Sequence, residues 1–383
     1  MKPIFLYSDI FFFAFILLSI GFVVWAWRRE YYRDAGRRIF SNRWAVICFS
    51  VIVLYGGIAF LDSIHFKPRI ESESEKNVYG DVQSVFDVLF AGIYSGIERK
   101  DGKVVISVEK SYSRPLADIG LDKEQNKKTG EWARKPLNKP GTHLMGTDKA
   151  GSDVFYKLCK GIRTALIVGL VTTMIVIPFA IFFGVMAGYF GGRVDDVIQF
   201  IYITLGSIPS ILLISAMMII VHSKFAKSAH VDVYLKDDKI VIYLCAILGL
   251  IGWSGLCRLL RAETIKLREL DYVQAAKALG ENHFLVIFKH IIPNLVHIVL
   301  ISSILRFSGL VMVEAILAYI KIGVPSTIQS WGRIVDGARS QLARDPIIWW
   351  PVTGAFIFMF VLVLSINIFG DVVRDALDPK LRT

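Results

Sequence analysis

The sequence predicts an all-α integral membrane protein. Of its 383 residues, 54% are hydrophobic, and the mean hydropathy of +0.52 is above the value expected of a soluble domain of this size. The apolar residues are concentrated in long runs, and a membrane-spanning helix needs about 20 such residues. Seven runs fit this description: 4–27, 44–61, 162–190, 197–221, 240–259, 292–320 and 348–370.

The first run and the loop after it set the predicted topology. The run at 4–27 is too long for the apolar part of a signal peptide and lacks a small-residue cleavage site, so we expect it to be retained. Six arginines fill the short loop that follows: Arg28, Arg29, Arg33, Arg37, Arg38 and Arg43. The positive-inside rule makes this loop cytoplasmic and places the N-terminus outside.

The remaining loops alternate from that start. Residues 61–161 and 222–239 are expected outside, and 191–196, 258–291 and the C-terminus inside. The basic residues of 258–291 agree with this placement, whereas the four lysines of 222–239 do not. We keep the topology because six consistent helices follow the first.

Glycine and proline interrupt the middle runs. Membrane helices accept these residues where neighbouring groups satisfy the released backbone. They are found in the third to fifth runs as Pro178, Gly206, Pro209 and Gly252. Gly184 and Gly188 form a small-xxx-small pair, which predicts close helix packing rather than a contact with a transported solute.

Composition excludes several classes of function. The net charge of +11 is explained by the membrane, because the chain has no soluble basic face with interleaved aromatic residues, so no nucleic-acid partner is expected. The four cysteines contain no Cys-x-x-Cys pair, and we expect no metal, cofactor or disulfide framework. The chain also lacks a phosphate-binding Gly-x-x-x-x-Gly-Lys-(Ser/Thr) loop, so it is not expected to be an enzyme that hydrolyses ATP.

A polar segment between the fifth and sixth apolar runs has helical periodicity on both sides of Gly280. Apolar or small residues recur at helical spacing in two stripes: Tyr272, Ala275, Ala276 and Leu279, then Phe284, Ile287, Phe288 and Ile291. Two short amphipathic helices are therefore predicted to meet at a glycine that can take a left-handed backbone conformation. Such an elbow at a membrane surface indicates a docking site for a soluble partner. An ordinary surface helix pair is the alternative.

The residues of this elbow resemble a known motif. Gln274-Ala275-Ala276, three residues, Gly280 and a later Pro293 resemble the cytoplasmic loop of permease subunits in ATP-binding-cassette importers. The ending from Lys289 through His290 to Asn294 is similar to the peptide and nickel branch of that family, and in particular to the C-type permeases of oligopeptide and dipeptide transporters. Relatives usually have Glu where this chain has Gln274, so an ion pair made there by relatives is in doubt.

Further motifs follow in the order of that family. They are His143-Leu-Met-Gly-Thr-Asp148 with Gly151-Ser-Asp153, the turn at 187–192, and segments at 330–337, 349–351 and 370–379. The first also suits a capped turn that leads into a helix. Ser152 replaces the Arg that is common in relatives. The resemblance runs from about His143 to Arg382.

The resemblance implies a type I ABC importer permease fold with about six core helices. It divides the chain into an extra N-terminal transmembrane helix (1–27), a basic cytoplasmic loop with the first core helix (28–61), an extracytoplasmic domain (62–142) and the permease core (143–383), whose cytoplasmic coupling loop is 258–293. Within the domain at 62–142, the alternation at 103–109 predicts a strand, and the stretch 123–141, rich in Lys, Gly, Asn and Pro, is predicted to be loop-like. The domain is interpreted either as a platform for an extracytoplasmic binding protein or as a tolerated insertion.

The same resemblance implies a permease subunit that forms half of a translocation pathway for peptides in the bacterial inner membrane. Implied partners are a second homologous permease, two ATPase subunits, a solute-binding protein and membrane lipid. The implied ATPase-coupling residues are Gln274, Ala275, Ala276, Gly280, His290 and Pro293. Import of nickel or another small solute by the same family is an open alternative.

Two charged residues fall within the sixth apolar run. Arg306 and Glu314 are eight residues apart, or about 12 Å along a helix, too far for a direct pair. Ionisable groups in a membrane normally face a bundle interior or water. We hypothesise that both line the translocation path, with a structural role for Glu314 as an equal alternative.

Two interpretations from other classes remain. A secondary transporter would work without an ATPase and would usually show inverted repeats, which are not evident in the sequence. A membrane scaffold or sensor would bind a ligand through the outer domain and would not need the motifs after His143. Neither accounts for the elbow.

Overall fold

The computed structural model describes residues 2–70, 78–79, 81–100, 103–125, 132–226 and 233–377. Helices dominate this part of the chain. Their bounds are α1 Tyr7–Trp27, α2 Glu30–Ser41, α3 Arg43–Asp62, α4 Val85–Ile93, α5 Val154–Phe190, α6 Gly192–Gly206, α7 Ser210–Ala226, α8 Val233–Gly252, α9 Ser254–Arg268, α10 Asp271–Ala278, α11 His283–Val286, α12 Ile292–Tyr319, α13 Trp331–Arg339 and α14 Trp350–Leu377, with a π-helical turn at Ile287–Ile291 between α11 and α12.

Short antiparallel strands occur near the N-terminus and between α3 and α5. They are β1 Lys2–Ile4, β2 His65–Lys67, β3 Arg69–Ile70, β4 Val78–Tyr79, β5 Gln83–Ser84, β6 Glu98–Lys100, β7 Lys103–Val105, β8 Ile119–Gln125 and β9 Trp132–Pro136. Their order is β1-β2-β5 in one sheet, with β3-β4, β6-β7 and β8-β9 as separate pairs. The strand predicted from the alternation at 103–109 is present only as β7.

Five helical segments are long and apolar enough to cross a membrane: α1, α3, α5, the continuous segment His283–Tyr319 and α14. Two more spans are obtained if α6 with α7 and α8 with α9 each count as one broken span. With these the described chain accounts for all seven predicted runs, and the all-α membrane fold is confirmed.

The predicted span at 197–221 differs from a single helix. The chain bends by 81° between α6 and α7, whereas the bend between α8 and α9 is 40°. Gly206 ends α6, and a helical conformation costs glycine more backbone entropy than any other residue. Pro209 lies directly before α7 and has no N–H to donate to a preceding carbonyl, so a single helix does not continue through it. The apolar run therefore identified the residues of this span but did not predict the bend within it.

Two segments predicted as loops contain regular structure. The basic loop after the first span folds into α2, which packs on the end of α14 through Ala35, Val373 and Leu377. The stretch 123–141 was predicted to be loop-like, but β8 and β9 pair across it, with Lys123 opposite Arg134. Backbone pairing satisfies the N–H and C=O groups of these polar strands whatever their side chains. Residues 126–131 of that stretch are outside the described ranges.

Helix α5 is the centre of the bundle and packs against α1, α3, α8, α9, α12 and α14. Its glycines allow this close approach. A Cβ atom at Gly184 would lie 2.8 Å from the carbonyl oxygen of Cys257, and one at Gly188 would lie 2.7 Å from that of Arg261, both on α9. The packing role predicted for Gly184 and Gly188 is thereby confirmed.

The two ends of the bundle are distinguished by what they carry. Strand β1 pairs with β2 in the register Lys2↔Lys67, so the N-terminal strand lies at the same end as the residues that follow α3. The opposite end of the bundle carries α2, the end of α14 and the elbow that joins α9 to α12. This alternation agrees with the predicted order of loops.

A buried cluster of charges joins the first helix to the core. The Asp9 carboxylate accepts a hydrogen bond from Arg163 at 2.5 Å and lies 2.9 Å from the His65 imidazole. Next to it, the Lys160 ammonium contacts Asp62 at 2.9 Å and Asp87 at 2.7 Å. Ion pairs therefore hold α1, α3, α4 and α5 together. Each charge has a partner of opposite sign, without which its burial would be costly.

We predict that Arg163→Met lowers the melting temperature of the purified protein. The substitution removes the guanidinium and leaves the Asp9 carboxylate, 1% exposed, with only His65, a loss on the order of 3 kcal/mol. Thermal unfolding in detergent measures the effect. The matched control is Arg37→Met, because the Arg37 side chain is 75% exposed and 4.0 Å from Asp34. Equal melting temperatures for the two variants would contradict the importance of this cluster.

Candidate functional site

The elbow comprises residues 269–291 and joins α9 to α12. The predicted coupling loop, 258–293, also includes most of α9 and the first two residues of α12. The turn of the elbow is at Gly280, whose φ is +80°, a backbone conformation that favours glycine. The Glu281 N–H donates to the carbonyl of Ala276 at 3.1 Å, and the Gly280 N–H donates to that of Lys277 at 3.0 Å. This pair of hydrogen bonds is the Schellman motif, which satisfies the last carbonyls of α10. The glycine turn predicted from the sequence is confirmed.

The two predicted apolar stripes are divided between the protein interior and the surface. Ala276, Ile287 and Ile291 are buried, together with Val273 and Val286, which the predicted stripes omitted. They pack in a cluster with α5 and α9. Only part of each predicted stripe is therefore at the surface, because the elbow has to bury some of its apolar residues to attach to the bundle.

The rest of the apolar residues remain on the surface of the elbow. Leu279 is 88% exposed and Phe288 is 66% exposed. The large exposed apolar side chains on the elbow are Leu270, Tyr272, Leu279, Phe284, Leu285 and Phe288. Apolar side chains of this size at the surface of a soluble loop are typical of a contact with another protein.

Gln274 fixes the start of the elbow. Its side-chain Nε2 donates to the carbonyl oxygen of Arg268, the last residue of α9, at 2.9 Å, and lies 3.5 Å from the Glu269 carboxylate. A Glu at this position has no donor for the carbonyl and would add a second negative charge beside Glu269. The amide of Gln274 is therefore suited to this environment, because it donates a hydrogen bond where a carboxylate cannot.

A second set of contacts closes the elbow at its other end. The Glu281 carboxylate pairs with Lys289 at 3.1 Å and with His290 at 2.9 Å. The Lys289 ammonium and then the His290 imidazole hold the pKa of Glu281 below its usual value. Asn294 donates to the Tyr272 hydroxyl at 3.0 Å, so the first turn of α12 is tied to α10.

Pro293 sits in the first turn of α12. It has no N–H to donate to the carbonyl four residues earlier, and the chain just before it widens into the π-helical turn Ile287–Ile291. The elbow thus passes into the membrane without a loop. Helix α12 is therefore a direct continuation of the elbow.

The other end of the elbow is attached to α5 and α6 through α9. Arg261 makes two hydrogen bonds to the Asp195 carboxylate, each at 2.5 Å. Arg268 donates to the carbonyl of Gly188 at 3.1 Å. Five of the six predicted coupling residues, Gln274, Ala275, Ala276, Gly280 and His290, lie on the elbow itself, and Pro293 lies at its exit.

Arg306 and Glu314 are in different surroundings, as their spacing predicted. Arg306 Nη1 donates to the Gly252 carbonyl at 2.5 Å, at the bend between α8 and α9. Glu314 is fully buried, and neither of its carboxyl oxygens makes a hydrogen bond, although the Ser330 hydroxyl is close by. The structure therefore gives Arg306 a backbone partner and Glu314 an enclosed position beneath α13.

The motif around His143 is built as a capped turn, as predicted. The Asp153 side chain accepts a hydrogen bond from the Tyr156 N–H at 2.8 Å and so caps α5. Its other oxygen lies 2.8 Å from His143 Nδ1 and accepts from the Tyr94 hydroxyl at 2.8 Å. Gly151, with a φ of +71°, completes the turn.

Sequence reasoning missed the partly buried cations Lys160 and Arg163, which pair with buried carboxylates. Their signal was present: two cations three residues apart, at the start of the most apolar run of the chain. It also missed the fit between Arg306 and the glycines of α8 and α9. In the described ranges, no group of three or more His, Cys, Asp or Glu could hold a metal ion.

Comparison with known proteins places the chain among transport components. The family model of the binding-protein-dependent transport system inner membrane component matches residues 180–383. The oligopeptide transport system permease protein OppC of Haemophilus influenzae is 31% identical over 242 residues, which are 63% of this chain and 72% of that protein. The OppC protein of Bacillus subtilis is 28% identical over 250 residues, covering 65% and 75%.

Two further similarities are to a permease of a different transport system and to a solved structure. The glutathione transport system permease protein GsiD of Pectobacterium atrosepticum is 29% identical over 241 residues, 63% of this chain and 74% of that protein. Among solved structures, a chain of the MetNI methionine ABC transporter in an inward-facing conformation aligns with a TM-score of 0.45 and 15% identity, covering 59% of this chain and 98% of that one.

We predict that Gln274→Glu loosens the junction between α9 and α10. Loss of the donor to Arg268 and repulsion from Glu269 should cost about 1 kcal/mol, or roughly fivefold faster amide exchange in residues 269–276. Hydrogen-exchange mass spectrometry of the purified protein measures this.

Two controls separate the causes. Gln274→Met removes the donor without adding charge, and Glu269→Gln combined with Gln274→Glu removes the repulsion. We expect Gln274→Met to lie between wild type and Gln274→Glu, and the double variant to recover part of the loss. Unchanged exchange in Gln274→Glu would show that the side-chain contact with Arg268 does not hold the junction.

Proposed function

Because the chain belongs to the family of binding-protein-dependent transport system inner membrane components, we propose that it is a permease subunit of an ABC importer that takes up peptides. The observation that carries this proposal is the elbow. It is a braced pair of short helices between two membrane spans, and it presents exposed apolar side chains such as Leu279 and Phe288. An elbow of this kind fits a soluble subunit that pushes on the membrane part.

The elbow is suited to transmitting movement. It is fixed to α9 by Gln274, to α12 by the hydrogen bond between Asn294 and Tyr272, and to the bundle by its buried residues. An ATPase docked on its exposed residues would move α9 and α12 together as rigid bodies. Closure of two ATPase subunits on ATP would then switch the helices between two packed arrangements, one open to the outside and one to the inside.

ATP hydrolysis is assigned to partner subunits, since the chain has no phosphate-binding loop of the Gly-x-x-x-x-Gly-Lys-(Ser/Thr) type. A single chain also provides only half of a pathway. Helix α12 leaves Leu305, Met312 and Ile316 exposed along one face. A second, homologous permease facing this chain would complete the pathway.

Peptides are the proposed substrate class. Relatives that match about two thirds of the chain are named as permeases of oligopeptide, dipeptide and glutathione transport systems, and glutathione is itself a small peptide. The solute would arrive on an extracytoplasmic binding protein. The segment 62–142, which is tied to the start of α5 through Asp87 and Lys160, is the proposed platform for it.

The proposed setting is the bacterial inner membrane. The arginines of α2 would face the cytoplasm beside the end of α14, with the N-terminus and the segment 62–142 outside. The elbow then meets the cytoplasmic ATPase, as the proposal requires. A secondary transporter would leave the elbow without a function, and it is not favoured.

Purification of the tagged chain from its native membrane, with mild crosslinking and native mass spectrometry, tests the proposal. We expect to recover a second permease, two ATPase subunits and a binding protein that carries peptides of several masses. A single metal-chelate mass on the binding protein would overturn the peptide assignment. Recovery of the chain without any nucleotide-binding partner would overturn the importer assignment.

The turn at Gly280 gives a sharper test of coupling. A Cβ at this position meets no atom within 4 Å, so the effect of a substitution comes from the backbone conformation alone. We predict that Gly280→Val strains the turn by about 1–3 kcal/mol and reduces peptide uptake per ATP hydrolysed. Gly280→Asn is the matched control, since Asn adopts left-handed conformations with little penalty.

Uptake and ATPase rates in proteoliposomes that contain the whole complex measure this coupling. Gly280→Asn should stay close to wild type, while Gly280→Val should hydrolyse ATP with less transport. Equal coupling in Gly280→Val and wild type would mean that the turn does not transmit the ATPase movement.

A further inference from the structure

Arg306 carries a charge near the middle of a membrane span. It is the fifteenth residue of the 28-residue helix α12, which begins at Ile292. A cation at such depth is costly and is normally found beside backbone carbonyls, other charges or a water-filled pathway. Its position therefore requires an explanation from the residues around it.

Two glycines make room for the guanidinium at the bend between α8 and α9. A Cβ atom at Gly255 would lie 2.9 Å from Arg306 Nη2, and one at Gly252 would lie 3.5 Å from Nη1. The Gly252 carbonyl accepts the hydrogen bond from Nη1. Residues larger than glycine at these two positions would displace the guanidinium. The packing of α12 against α8 and α9 therefore depends on Gly252 and Gly255.

The contact with Gly252 uses only one of the N–H donors of the guanidinium. Arginine has five N–H donors and stays charged under all ordinary conditions. Along the described ranges, no carboxylate pairs with Arg306, and Glu314 is enclosed two helical turns further on. A backbone carbonyl satisfies one donor but does not neutralise the charge.

Arg306 also borders the exposed face of α12. This face contains Leu305, Gly309, Met312 and Ile316, which recur at helical spacing and are all exposed. Met312 and Ile316 of this face line a groove with α13 and α14, and other parts of the helix pack against α5 and α9. Arg306 itself is partly exposed and follows Leu305 directly, so it lies beside the face where a second permease and the pathway between the two subunits are proposed.

We propose that Arg306 binds the terminal carboxylate of the peptide as it crosses the membrane. A carboxylate supplies the missing negative charge and matches the planar guanidinium fork with two parallel hydrogen bonds. The interaction is available to every peptide with a free carboxyl terminus, whatever its side chains. The inference rests on the proposed function, and it names the part of the substrate that this chain recognises.

Peptide uptake by the reconstituted complex, with its binding protein and ATPases, provides the first test. Each peptide is supplied with a free carboxyl terminus or as the C-terminal amide, and each rate is divided by the amount bound to the binding protein. Arg306→Gln keeps a donor for the Gly252 carbonyl but removes the charge. Arg306→Lys keeps both, although without the bidentate geometry.

We expect Arg306→Gln to lower uptake of the free peptide by about tenfold and to change uptake of the amide little. Arg306→Lys should recover part of the loss for the free peptide. If Arg306 only holds the α8–α9 bend, Arg306→Gln will affect the free peptide and the amide equally, and the proposal is overturned.

Thiol labelling gives a second measurement that does not depend on delivery of the amide. Arg306→Cys is introduced after Cys48, Cys159, Cys245 and Cys257, all buried, have been changed to Ala. An anionic methanethiosulfonate reagent should modify the new thiol in the assembled complex, and transported peptide should slow the reaction. No modification in any nucleotide state would remove Arg306 from the pathway.

The two failures are distinguishable. If wild-type complex shows no ATP-dependent uptake of either peptide, the proposed function fails. If wild type takes up peptide and Arg306→Gln does not discriminate between acid and amide, only the inference about Arg306 fails.

Discussion

The requirement that every backbone N–H and C=O be satisfied inside the membrane governs this structure. Straight helices meet it by themselves, but this chain bends at several points within its spans. At the bend between α8 and α9, Arg306 donates to the Gly252 carbonyl. Before Pro293, the chain adopts a π-helical turn. After α6, the Ser207 hydroxyl donates back to the Thr204 carbonyl. At these three places a local donor or a change of helix geometry compensates for the departure from a straight helix.

The second consequence is a bundle that moves in large pieces. Glycines bring α5 and α9 so close that the backbone of one meets the Cβ positions of the other, and buried ion pairs attach α1, α3 and α4 to the start of α5. Packed contacts of this kind have discrete alternatives rather than continuous deformation. A displacement at the elbow would therefore be passed to α9 and α12 as a whole, which is what coupling to an ATPase demands.

The sequence was informative where one physical rule dominates. Apolar length identifies membrane spans because lipid accepts little else, and the turn at Gly280 was predictable because few residues other than glycine tolerate its conformation. Periodicity could not tell which apolar residues of the elbow pack inward: Ala276 and Ile287 are buried, whereas Leu279 and Phe288 are exposed. The 81° bend after Gly206 and the hairpin of β8 and β9 depend on tertiary packing and backbone pairing, which a residue pattern does not specify.

The two charges of α12 differ in what can neutralise them. A carboxyl group such as that of Glu314 loses its charge by binding a proton, so an enclosed site without a partner is compatible with a stable structure. A guanidinium has no such route, because arginine is not deprotonated in proteins. Arg306 therefore needs an anion from outside its own surroundings whenever water is excluded from the bend. A solute with a carboxylate neutralises the charge of Arg306 only while it is bound. Such an interaction ends when the solute moves on, as transport requires.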